Sequence, residues 1–242
     1  MFSDTASPML EILQQGEITI QGQFAWGSNY TFLVDVTHAG SVLQAVYKPS
    51  RGERPLWDFP IRSLAHRETA AYLVSQALAW DLVPETVYRR QGPAGAGSLQ
   101  RFVDHDPDYH YFNFSPADRQ RLRPVALFDL LINNADRKGG HVLLDPERHI
   151  WLIDHGICFH VEDKLRTVIW DFAGEPIPNA LIDDLRRLSE QLDPQAALYS
   201  VLRPHLSKGE LSVLRQRADH LSAQGIYPNP PTNHRPYPWP PL

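Results

Sequence analysis

The sequence predicts an α+β chain, with a β-rich first part carrying one long helix and a mainly helical second part. Short runs of apolar and β-branched residues at Glu17–Ile20, Tyr30–Val36 and Val42–Lys48 read as strands separated by turn-forming residues. Ile61–Trp80 carries the strongest helical period of the N-terminal half. After Ser115 the helical patterns recur, at Val125–Ile132, Asn179–Leu192, Asp193–Leu206 and Gly209–Ala223.

Composition narrows the function classes. A chain of 242 residues with 43% hydrophobic and 21% charged residues can bury one good core or two small ones, which argues against wholesale disorder. A net charge of −5 lacks the electrostatic footprint of a general nucleic-acid binder, so no nucleic-acid partner is expected. Cys158 is the single cysteine; no internal disulfide can form, which fits a reducing cytosol and a cytoplasmic location. No signal peptide is evident at the N-terminus. The apolar run near Val125–Ile132 is interrupted by Asp129 and is too short to span a bilayer, so no transmembrane segment is expected.

Each element has a local reason. Pro8–Gln15 reads as a short helix stopped by Gly16. The stretch from Gly22 to Asn29 reads as a loop, and His38–Ser41 as the turn joining the next two strands. Ser50–Pro60 is rich in charge and proline and reads as a loop; its Arg51 and Arg54 could help hold an anionic substrate, but the plainer reading is surface charges. Along Ile61–Trp80, Leu64, Ala71, Tyr72, Ser75, Leu78 and Ala79 share one broad stripe, and Glu68 falls in its middle. A carboxylate on a buried face is costly unless a cation meets it. Pro84 forces extended geometry and starts a strand to Arg90; Gln91–Gly97 is a hairpin loop leading to the strand Ser98–Val103. Asp104–Phe114 gathers acids and histidines but lacks ligand spacing, and reads as a linker. Ser115, Pro116 and Asp118 form a helix start. Asn133 and Asn134 end the apolar helix that follows.

The most informative stretch runs from Phe128 to Gly156. Val142–Leu144 and His149–Ile153 are short strands about the turn Asp145-Pro146-Glu147-Arg148, which pairs Leu144 with His149. Folding this hairpin gathers Asp136, His141 and Asp154 beside Gly139 and Gly140, a candidate site for a metal ion and a phosphate.

Asp136-Arg-Lys-Gly-Gly-His141, followed by Leu152-Ile-Asp-His-Gly156, resembles the catalytic and metal-binding loops of the atypical phosphatidylinositol 3-/4-kinase-like superfamily. The chain as a whole resembles a bacterial family of that superfamily seen mainly in actinobacteria. The departure is His141, where the superfamily usually has Asn. The resemblance implies a protein-kinase-like bilobal fold: residues 1–103 a small β-rich N-lobe, 104–226 a mainly helical C-lobe, and 227–242 a proline-rich tail. It implies an ATP-dependent phosphotransferase acting on a hydroxyl of a lipid headgroup, protein or small molecule. Asp136 would orient the acceptor and Lys138 would touch the γ-phosphate. Gly27, Ser28 and Asn29 would cover the phosphates, Lys48 would reach them, and Glu68 would pair with Lys48. Backbone near Gln100, Phe102 and Val103 would hold the adenine. His141 and Asp154 would hold Mg²⁺ or Mn²⁺, with imidazole better suited to Mn²⁺. Rival expectations are a nucleotide-binding pseudokinase, an AMP transferase on the same fold, and a metal-dependent hydrolase. The tail is expected to pack Tyr227, Tyr237 and Trp239 back on the domain.

Overall fold

In the computed structural model, which describes residues 7–24 and 30–242, an antiparallel five-stranded sheet is followed by helices and one further hairpin. Helix α1 (Pro8–Gln15) precedes strands β1 (Glu17–Gln23), β2 (Phe32–His38) and β3 (Ser41–Pro49). Helix α2 (Leu64–Leu78) comes next, then β4 (Thr86–Arg89) and β5 (Gly97–Arg101), in the sheet order β1-β2-β3-β5-β4. β1 runs three residues past the expected end at Ile20, through Gly22, where its register with β2 shifts at a bulge.

Alternation along the strands sorts two faces. Val34, Val36, Ala45 and Tyr47 turn inward with Leu13 of α1, Val87 and Leu99 to make a small core. Val46 and Lys48 therefore fall on the opposite face of β3, where they line a cleft.

α2 is shorter than the expected Ile61–Trp80. Arg62 (φ 61°) and Ala79 (φ 56°) adopt left-handed backbone at either side and stop it. Its N-terminus is capped by a residue distant in sequence: the Glu53 carboxylate accepts the backbone N–H groups of Leu64 (3.2 Å) and Ala65 (3.0 Å). The helix is buried on nearly every face rather than along one stripe. Ala70, Ala71, Val74 and Leu78 join the larger core of the helical part.

That larger core is built on α3 (Pro116–Gln120), α4 (Arg123–Ile132), the hairpin β6 (Val142–Leu144) and β7 (Ile150–Leu152), then α5 (Asn179–Gln191), α6 (Ala197–Leu202) and α7 (Lys208–Gln224). α4 carries Val125, Leu127, Phe128, Leu131 and Ile132, all fully buried. Asn133, left-handed at φ 53°, ends it. α7 begins at a capping box in which Ser207 and Glu210 satisfy each other's backbone N–H groups.

The β6–β7 register differs from the expected one. Leu144 pairs with Ile150, not His149. The turn through Asp145 closes with the Arg148 N–H on the Asp145 carbonyl, and Arg148 itself is left-handed at φ 68°. That adds one residue to the loop.

The tail packs in part. Tyr227 is buried and its hydroxyl donates to the Arg123 carbonyl at 2.9 Å. Trp239, expected to pack inward, is exposed and lies over Arg235, while Tyr237 is half exposed. The tail's backbone docks instead: Pro236 accepts the Thr167 N–H (3.0 Å) and Pro241 the Gly139 N–H (2.8 Å). A side chain at 139 would collide with the Phe112 ring, which explains glycine there. Among the described residues no helix is long and apolar enough to cross a membrane.

Candidate active site

Lys48, Glu68, Asp136, His141 and Asp154 come from five separate places in the chain and line one cleft of about 330 Å³. β3 supplies Lys48, α2 supplies Glu68, the loop after α4 supplies Asp136, and the two ends of the β6–β7 hairpin supply His141 and Asp154. Val46, Phe102, Leu143 and Ile153 give the cleft apolar walls, and Gln100 and Val103 also line it. Gly27, Ser28 and Asn29 lie outside the described residues.

The charges interlock. Lys48 Nζ lies 2.5 Å from Glu68 Oε1 and 3.1 Å from Asp154 Oδ1. The second Glu68 oxygen accepts the His155 backbone N–H at 3.0 Å, so α2 is tied to the loop after β7. Burial alone would lower the Lys48 pKa; Asp154 and Glu68 outweigh it and keep the ammonium charged. The Lys48 charge in turn holds the Asp154 carboxyl well below the usual range, against burial. Asp154 is left-handed at φ 62°, a conformation costly for a residue with a Cβ.

Asp136 sits differently. Burial pushes its carboxyl up to about 6, with the Asp154 charge adding to the rise and Lys138 opposing it. Lys138 Nζ is 3.8 Å from Asp136 Oδ2. His141 Nε2 faces Asp154 Oδ2 at 3.4 Å, while its Nδ1 accepts the Lys138 backbone N–H at 3.4 Å. Burial lowers the His141 pKa to about 4, so the ring is neutral near pH 7.

The loop that carries Asp136 is fixed from beneath. Arg137 is fully buried and donates to Asp129 Oδ1 (3.0 Å) and Oδ2 (3.2 Å), to the His141 and Ile153 carbonyls (3.2 and 2.8 Å), and to His155 Nε2 (2.8 Å). Asp129 also accepts from Asn134 and Thr167, each at 3.0 Å. One guanidinium thus ties α4 to both ends of the hairpin. In the sequence Asp129 stands out only as an interruption of an apolar run. That interruption was the available signal, because a carboxylate in an all-apolar helix needs a buried cation.

At the end of β5 the Phe102 N–H is already bonded to the Gln44 carbonyl (2.9 Å), and the Val103 carbonyl meets His105 Nδ1 (2.9 Å). Gln100 donates from its side chain to Thr86 Oγ1 at 2.8 Å. Among the described residues no group of three or more His, Cys, Asp or Glu side chains is placed to hold a metal, the Asp104–His110 stretch included.

This fold is kinase-like, and the comparisons agree. The proinflammatory kinase CtkA of Helicobacter pylori matches over 89% of this chain and 94% of its own at a TM-score of 0.54 and 13% identity. Phosphatidylinositol 4-kinase gamma 4 of Oryza sativa subsp. japonica is 31% identical over 133 residues, 46% of this chain and 24% of that protein. No family model matches. Protein Rv2133c of Mycobacterium tuberculosis is 42% identical across 95% of this chain and 94% of its own length, and the chain belongs to the family of that protein.

Proposed function

We propose that the chain is an ATP-dependent phosphotransferase with a two-lobed kinase architecture, transferring phosphate to a hydroxyl acceptor. Residues 1–103 form the small lobe, 104–226 the large lobe, and 227–242 a tail that braces the large lobe. The observation that carries this reading is Lys48 bridging Glu68 and Asp154 in a cleft that also holds Asp136.

Each residue then has a role. The adenine lies among Val46, Phe102, Leu143 and Ile153, against backbone near Gln100–Val103. Lys48, fixed by Glu68, meets the phosphates as a permanent cation. Asp136 accepts or orients the acceptor hydroxyl, and its raised pKa makes it a competent base near neutral pH. Lys138 steadies the charge beside it. Asp154 and His141 would hold Mg²⁺ or Mn²⁺; one carboxylate and one imidazole are too few to hold the ion alone, so it would bind together with the nucleotide. When bound, such an ion neutralises charge on the transferring phosphate.

Incubating the protein with ATP and Mg²⁺ or Mn²⁺ and weighing the products tests the reading. Release or transfer of phosphate, lost in Asp136→Ala, supports it. Transfer of AMP would replace it with a nucleotidyl transferase. Tight ATP binding without turnover would replace it with a nucleotide sensor.

A further inference from the structure

Between β3 and α2 the chain makes a loop, residues 50–63, that presents what a folded protein normally hides. Trp57 is 91% exposed and Ile61 79%, the two most exposed large apolar side chains among the described residues. Both stand on a loop stiffened by Pro55 and Pro60, and the left-handed Arg62 (φ 61°) follows Ile61 directly. The loop is therefore a fixed projection whose apolar tips meet water.

Its charges are sorted. Glu53 turns inward to cap α2, and Asp58 pairs with Lys164 at 3.3 Å. Arg51, Arg54 and Arg62 are exposed. They rim a hollow of about 180 Å³ floored by Leu56, Phe59 and Leu64. Lys164 lies 5.1 Å from the centroid of the Trp57 ring, its charge met by Asp58 and by Glu162 at 3.1 Å, so the positive charge of this face comes from the three arginines. The outward surface is thus basic and apolar together, on a chain whose net charge is −5.

We propose that this loop docks the protein on an anionic lipid bilayer, with Trp57 and Ile61 entering the headgroup region and Arg51, Arg54 and Arg62 meeting lipid phosphates. Tryptophan suits that boundary because its ring is apolar and its N–H polar. Arginines near an anionic surface attract it over roughly a Debye length. Two isolated apolar tips ringed by cations match a bilayer interface better than the broad, well-packed face of a protein partner. Glu53 and Leu64 line both this hollow and the cleft that holds Lys48, so a docked loop sets the cleft mouth beside the membrane. The docking does not depend on the phosphotransfer reading.

Co-sedimentation of the full chain tests this, using phosphatidylcholine vesicles with and without about a third phosphatidylglycerol. The expected result is retention only on the anionic vesicles, weakened by salt. Retention should fall at least about ten-fold in Trp57→Ser/Ile61→Ser and about five-fold per charge in Arg51→Gln and in Arg62→Asn. Asparagine tolerates the left-handed backbone at 62. Unchanged melting temperatures would show that the variants fold. No retention by the wild type, equal retention on neutral vesicles, or full retention of the Trp57→Ser/Ile61→Ser variant would each overturn the proposal. So would concentration-dependent self-association abolished by Trp57→Ser, which would make the loop a protein interface.

Discussion

Arg137 is a cation shut off from bulk solvent, and its neighbours supply its hydrogen bonds. Removing one partner of a buried pair strands the other charge, which typically costs about 3–5 kcal/mol. Asp129→Ala is therefore expected to destabilise the protein by that amount in urea denaturation, well beyond an ordinary surface change. Asp136 lies next along the chain and is expected to behave in the opposite way. Asp136→Ala should lower phosphoryl transfer by about 10²–10⁴-fold while leaving the melting temperature nearly unchanged, read by product mass and thermal denaturation. The apolar stripe showed that Glu68 needs a cation, and the kinase-like resemblance pointed to Lys48, which the structure pairs with it. The pairing of Arg137 with Asp129 was not: the two flank a helix end, and spacing alone does not say which way the chain turns there.

At the scale of elements, α2 joins the two parts of the chain, since it touches the sheet, the helices and the loop after β7. The sequence showed one apolar stripe because only the positions facing the helical core are strongly apolar. Its other faces are covered through Arg67, which bonds Cys158 and Glu210, and through Thr69, groups that score as polar yet are buried. The same helix carries His66, whose ring stacks on Tyr88 and whose Nδ1 lies 3.2 Å from His205 Nδ1. Burial lowers both pKa values, His205 to about 4, with the His66 charge adding to the fall. The unfolded chain, with histidines near 6.5, then binds more protons than the folded one. The stability from this contact is complete above about pH 6.5 and declines as pH falls toward 4. His205→Gln should flatten that part of a plot of melting temperature against pH. For α4, Phe128→Ala should cost about 3–5 kcal/mol, because a fully buried ring leaves a void that the core cannot refill. The β6–β7 hairpin was found from its turn residues, but its register slipped by one because a left-handed Arg148 leaves no mark that glycine or asparagine would have left.

For the molecule as a whole, the cleft draws its walls from the sheet, from α2 and from the hairpin. A ligand that bridges them binds only the folded chain, and linkage then makes stability a readout of occupancy. ATP with Mn²⁺ at a hundred times its dissociation constant should add about 2.7 kcal/mol, seen as a rise in melting temperature that Lys48→Ala reduces. The two-part α+β layout was readable because strands and helices carry different periods. That the tail packs back was readable from its aromatics and holds for Tyr227, but its docking through the Pro236 and Pro241 carbonyls was not, since backbone carbonyls of proline leave no side-chain signature.

That docking has a consequence for how the protein is made. The Gly139 N–H and the Thr167 N–H find their acceptors at Pro241 and Pro236. During translation both groups leave the ribosome well before those prolines exist. The loop bearing Asp136 therefore waits, fully synthesised but unfinished, until residue 241 has cleared the ribosome and can reach it.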